Sequence, residues 1–219
     1  MNTIGLTLSR FSMALCLLAA THMSLASEAP KDAAKEPSVD AIVMNLTTEL
    51  LTLVNENQDL LKTEPQTLFK KVGELLDPNV NFNYIAKNVM GSYWKSASEE
   101  QQQAFVTAFR SGLIETYTKG MANFSQLEFA VESHQVEPIV VKGETVGEKA
   151  SVIQTVTGEK GVNRILYSLL RRTDGQWKVS NVVLNGVNLG ATLRSQFAQG
   201  VKDAGGDIGG AINNWRISG

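Results

Sequence analysis

Gln-Trp-Lys-Val-Ser-Asn-Val-Val-Leu-Asn-Gly-Val-Asn-Leu-Gly-Ala-Thr-Leu-Arg-Ser-Gln-Phe, residues 176–197, holds both of the periodicities on which the fold turns. Its first half is rich in β-branched and aromatic residues and reads as a strand. Asn185-Gly186 stops that strand, and the apolar spacing then changes from two to three or four, with Leu189, Leu193 and Phe197 on one face of a helix. The expectation is a strand that passes straight into an amphipathic helix.

Upstream of this stretch the chain divides into a helical half and a β half. Ile42, Val43, Leu46, Leu50, Leu53 and Val54 follow helical spacing within Val39–Lys62, with Ser38 available as N-cap. A second helix covers Pro65–Leu76 and stops before Asp77-Pro78, because the residue preceding proline is pushed out of the helical region. Asn81–Lys95 reads as a helix interrupted near Gly91. Ser98-Glu99-Glu100-Gln101 has the form of a capping box and opens the longest helix, which runs to Phe124. Strands are expected at Leu127–Glu132, Val136–Val141, Lys149–Thr157, Val162–Arg172 and Gln176–Leu184, with Asp174-Gly175 as a hairpin turn. Helices return at Leu189–Lys202 and Asp207–Trp215. Helices, then an antiparallel sheet, then short helices give the class α+β.

The N-terminus sets the compartment. Arg10 precedes the apolar run Phe11–Ala20, and Ser24 and Ala26 occupy the −3 and −1 places of a signal-peptidase site, so residues 1–26 read as a secretory signal. A run of about ten apolar residues is too short to span a bilayer, which needs ~20. Cys16, the one cysteine, lies inside the signal and lacks the small preceding residue of a lipoprotein site. Residues 27–38, rich in Ala, Glu, Lys and Pro, form a leader, and 39–219 a single domain. About 190 residues bury an adequate core without disulfides. Removing Arg10 takes the formal charge from −2 to −3, which offers nothing to nucleic acid.

Catalytic chemistry has little to work with. His134 is the one histidine beyond the signal and has no companion ligands, so neither a metal site nor a Ser-His-Asp triad is expected. Gly205, Gly206, Gly209 and Gly210 do not fit dinucleotide or phosphate-loop spacing. Glu99, Glu100, Glu115 and Glu128 fall at helix starts or on polar faces, where solvated acids belong. From Val162 onward no acid sits mid-strand, which weakens an isomerase-like or dehydratase-like cone with a buried base. What remains is an excess of apolar faces. Ile165–Leu170 is apolar except at Ser168 and Val179–Leu184 nearly so, and periodicity alone leaves open whether these strands close a core or line a cavity.

The segment Tyr84–Tyr117 contains Met90-Gly91-Ser92-Tyr93-Trp94-Lys95-Ser96-Ala97-Ser98 and Gln103-Ala104-Phe105-Val106-Thr107-Ala108-Phe109. Further on stand Asp174-Gly175-Gln176-Trp177-Lys178-Val179, Asn185-Gly186-Val187-Asn188-Leu189, Arg194-Ser195-Gln196-Phe197 and Gly206-Asp207-Ile208-Gly209-Gly210. In order and spacing these fragments resemble the periplasmic phospholipid-binding component of the Mla (maintenance of lipid asymmetry) system, also called the toluene-tolerance family, from about Val39 to Trp215. Two departures stand out. Ser180-Asn181 replaces the usual Tyr-Asp, and Asn185-Gly186-Val187-Asn188 replaces Glu-Gly-Val-Ser, so neutral amides stand where the family has acids.

The resemblance implies a curved antiparallel sheet with helices packed over it, an NTF2-like cone with added helices, enclosing an apolar lipid cavity. It implies a non-enzymatic, periplasmic, monomeric carrier without cofactors, its ligand a phospholipid. Its implied partners are an inner-membrane ABC-transporter complex with an MCE-domain subunit and an outer-membrane lipoprotein complex. For lining residues, pairing Arg172 with Trp177 would place Tyr167, Leu169, Val182 and Leu184 on one face, whereas a three-residue loop would substitute Val179 and Val183. Val187 and Leu189 fall at the rim. Val152 completes the sheet's contribution, and Val89, Phe105, Phe109 and Phe197 are the candidates from the helices.

Overall fold

In a computed structural model, residues 37–122, 126–159, 161–173 and 175–217 are described. The signal, most of the leader, Phe124 and Asp174 therefore lie outside the described residues.

The first expected helix is two. Asn57 donates its side-chain amide to the Leu53 carbonyl at 2.8 Å, and this local bond competes with the helical ladder. The break separates α1 (Val39–Glu56) from α2 (Gln58–Thr63). Helix α3 (Pro65–Leu76) begins on its proline, where a missing N–H costs nothing. Helix α4 (Phe82–Met90) is capped by Asn81 and ends at Gly91, whose φ of +58° turns the chain into a 3-10 segment, Gly91–Lys95. Helix α5 (Glu99–Met121) opens on the expected capping box, with Gln101 N–H donating to Ser98 Oγ at 3.2 Å and Ser98 N–H to Gln101 Oε1 at 3.0 Å.

The sheet is a five-stranded antiparallel meander: β1 (Glu128–Val141), β2 (Glu144–Gly158), β3 (Gly161–Arg172), β4 (Lys178–Leu184) and β5 (Val187–Asn188). Polar residues Glu132–Gln135 do not divide β1 as expected; the strand continues through a register shift between Val131 and Ser133. Lys142-Gly143 and Asn185-Gly186 both carry positive φ at each residue, the conformation of tight two-residue hairpins. Asn185-Gly186 therefore does more than stop a strand. It folds β5 back on β4 before α6 (Leu189–Asp203) begins. The other end of β4 is paired by the α3–α4 link, where Asn81 N–H donates to the Val179 carbonyl and Val179 N–H to that of Asn79. Backbone that would otherwise form an open edge is thus used at both ends of β4. Helix α7 (Ile208–Asn213) closes the described chain.

Three buried clusters hold the fold. One joins α4, α5, α6 and α7 around Phe105, Phe109, Phe197 and Trp215. A second packs α1 through Val39, Val43 and Leu46 onto Ala150, Val152, Leu169, Trp177 and Val179 of the sheet side. The third packs α1, α3, α4 and α5 through Val54, Leu68, Val72, Phe82 and Ile114. Helix α5 serves the first with its N-terminal half and the third with its C-terminal half.

Candidate lipid-binding site

Strand register decides which side chains meet. Near the turn, Leu169 pairs with Val179; a bulge follows, and from Ser168↔Asn181 onward Tyr167 pairs with Val182 and Ile165 with Leu184. Each register left open by the sequence thus holds over part of the hairpin, the shifted one only next to the turn. The extra residue is Ser180, buried, with its hydroxyl donating to the Ser168 carbonyl at 3.0 Å. Because of this insertion Val179, Val182 and Leu184 share a face with Tyr167 and Leu169, while Val183 turns to the other side.

Following the pairing across the sheet, this face carries successive rows. Val136, Ala150, Leu169 and Val179 form the first, and His134, Val152, Tyr167 and Val182 the second. The third spans all five strands as Val131, Gln154, Ile165, Leu184 and Val187. At ~4.8 Å per strand that row is ~19 Å long. The face is the one turned to α1, since Val152 and Leu169 are fully buried in the cluster that α1 covers. Toward β5 the cover gives out. Tyr167 and Val182 are packed against that cluster but only half-buried, and among the described residues Ile165 and Leu184, also half-buried, belong to none of the three clusters. Val187, opposite Leu184, is 54% exposed. This apolar sheet face, turned to α1 yet partly uncovered from Tyr167 to Val187, is the candidate wall for a lipid.

A buried polar side chain interrupts it. Gln154 is fully buried, its Oε1 accepting from the Tyr167 hydroxyl at 3.1 Å and its Nε2 donating to Thr47 Oγ1 on α1 at 3.0 Å. Thr47 in turn donates to the Val43 carbonyl at 2.9 Å. Burial raises the Tyr167 pKa, so its hydroxyl stays protonated and can donate. Sequence reading missed Gln154, although a glutamine between inward-facing Val152 and Val156 at period two is a visible signal. His134, at the far end of its row, lies 4.0 Å from Asp40 at the start of α1 and is largely exposed.

The expected lining set divides. Val152, Tyr167, Leu169, Val182, Leu184 and Val187 are brought together on the sheet face. Leu189 begins α6 beside Asn188, whose side chain accepts from Ala191 N–H at 3.0 Å, so the amide at this departure from the family pattern makes a helix cap. Val89, Phe105, Phe109 and Phe197 lie elsewhere, fully buried in the α4–α7 cluster. There the Phe197 ring sits 4.6 Å from Phe105, 5.8 Å from Trp215 and 6.1 Å from Tyr93, centroid to centroid. Among the described residues no group of acids, histidines and cysteines could hold a metal ion, and no helix is long and apolar enough to cross a membrane.

Residues 44–216 match the MlaC protein family. The chain belongs to that family. Two relatives match it at similar identity. It is 28% identical over 211 residues to the toluene tolerance protein ttg2D of Pseudomonas putida, covering 96% of this chain and 90% of the relative. It is 29% identical over 162 residues to the intermembrane phospholipid transport system binding protein MlaC of Haemophilus influenzae, covering 73% and 72%. Among solved structures, a phospholipid-binding protein from Ralstonia solanacearum, in complex with a phospholipid, superposes with a TM-score of 0.65 at 26% identity, covering 81% of this chain and 94% of that one. The MlaC-family match includes α2 to α7, the whole sheet and all of α1 from Met44 onward.

Proposed function

We propose that this protein is a periplasmic phospholipid carrier of the Mla system, a binding protein rather than an enzyme. It holds acyl chains against the helix-facing side of β3, β4 and β5 and acts as a monomer. The observation that carries this reading is the half-buried apolar run Tyr167, Val182, Ile165 and Leu184, in which Tyr167 and Val182 border the cluster under α1 and Ile165 and Leu184 belong to none of the three clusters. Val152 and Leu169 form its floor, and Val187 and Leu189 its rim. The phospholipid held by the Ralstonia relative supports the ligand class, and the name of the Haemophilus relative supports the transport system.

The energetics define the task. At about 0.8 kcal/mol per methylene, two chains of roughly fourteen methylenes each cost ~20 kcal/mol to expose to water, so a carrier has to cover both tails. Burial is non-directional, so few polar groups are needed along the wall. Exchange takes place with an inner-membrane ABC-transporter complex bearing an MCE-domain subunit and with an outer-membrane lipoprotein complex.

Native mass spectrometry of protein purified from periplasm without detergent, followed by organic extraction, tests the reading. A heterogeneous phospholipid adduct is expected. An empty protein that also takes up no lipid from phospholipid vesicles would refute it.

A further inference from the structure

Resting on the carrier reading, we propose that the Thr47–Gln154–Tyr167 hydrogen-bonded chain is the inner end of the candidate lipid wall and sets the longest acyl chain the protein accommodates. In the row that crosses all five strands, Val187, Leu184 and Ile165 are exposed or half-buried, and the next position, Gln154, is fully buried beneath α1. The change from open to covered wall coincides with the change from apolar to polar.

Gln154 is fixed at both ends of its amide, by Tyr167 on β3 and by Thr47 on α1. Thr47 is itself fixed to backbone carbonyls of its own helix. An acyl chain that reaches this point meets a side chain it cannot push aside without breaking those bonds. Breaking them strands buried polar atoms for which hydrocarbon offers no replacement. Methylenes short of Gln154 gain from burial; beyond it the row ends at Val131, already packed against the cluster under α1. The relay is a positioning and selectivity element, with no chemical step assigned to it.

The test uses delipidated protein offered an equimolar series of diacyl phospholipids that share one headgroup and differ only in chain length, with the bound species counted by native mass spectrometry. Wild type is expected to favour longer chains up to a limit and to gain nothing beyond it. Gln154→Ala removes the stop, and Gln154→Leu keeps its volume but frees it from both anchors. In each the limit moves to longer chains, with about a fourfold gain in relative occupancy for each methylene newly buried. Val201→Ala, which opens space in the separate α4–α7 cluster, leaves the limit where it is.

An unchanged chain-length limit in either folded Gln154 variant overturns the proposal while leaving the carrier reading intact. A limit that moves equally in Val201→Ala also overturns it. Wild-type protein that takes up none of the lipids overturns both.

Discussion

Phe197→Ala separates the two cores most sharply. The side chain is fully buried, and its ring packs against Phe105, Trp215 and Tyr93 with no share in the sheet face. Truncating a phenylalanine in such a position removes its transfer free energy and leaves a cavity that the aromatic neighbours on α5, on the 3-10 segment and just after α7 only partly fill, about 3–5 kcal/mol in total. That is a large fraction of the ~5–15 kcal/mol by which domains are stable. For a domain of this size it corresponds to a melting temperature lower by about 6–20 °C. Urea unfolding of delipidated protein reads the loss directly, and native mass spectrometry well below the new midpoint reads lipid occupancy. The expected result is severe destabilisation with lipid retention unchanged. A loss of stability below about 1 kcal/mol accompanied by lost lipid would mean that Phe197 lines the lipid site, and the division between a helical core and a sheet-side site would be wrong.

Val187→Glu should do the opposite. The side chain is 54% exposed, so stability changes by no more than ~0.5 kcal/mol, but a carboxylate at the apolar rim is costly to cover and lipid retention is lost; retention at the wild-type level in vesicle uptake would contradict the placement of the mouth. Gly91→Ala forces a side chain into a backbone with φ +58° and ψ −124°, and an unfolding titration should show a loss of about 1–3 kcal/mol. Glu132 accepts from the Thr155 hydroxyl and, at 3.0 Å, from Arg164 Nε, and these two bonds lower its pKa below 4.5. A depressed carboxylate contributes stability that is full above its unfolded pKa and disappears as pH falls through the folded one. Glu132→Gln should therefore be less stable than wild type at neutral pH and equal to it at strongly acid pH, a convergence that pH-dependent unfolding curves would reveal or deny.

The sequence carried the element order because caps and turns are local. Ser98 to Gln101 specifies the start of α5 through two hydrogen bonds within four residues, and nothing distant alters it. The hairpin between β3 and β4 was legible only as a pair of alternatives, since a bulge satisfies both registers and no local signal announces Ser180 as the inserted residue. For the helical phenylalanines, periodicity established that Phe105, Phe109 and Phe197 are buried but not against what, because a helix facing another helix and a helix facing lipid have the same apolar stripe. Gln154 escaped notice because a single polar residue in a strand is ordinary until its neighbours show that it points inward. The relatives support the ligand class, while the positions along the candidate wall follow from register.

The separation of the α4–α7 cluster from the sheet face bears on how a carrier endures the empty part of its cycle. Ligand that binds only the native state adds to stability according to its concentration relative to its dissociation constant, and that contribution vanishes on delivery. A protein whose only core were its cargo would approach unfolding each time it unloaded. Here Phe105, Phe109, Phe197 and Trp215 pack one another whether or not lipid is bound. On the proposed placement of the lipid, the cargo-dependent part of the stability lies on the sheet face, and an empty protein would keep its helical half intact.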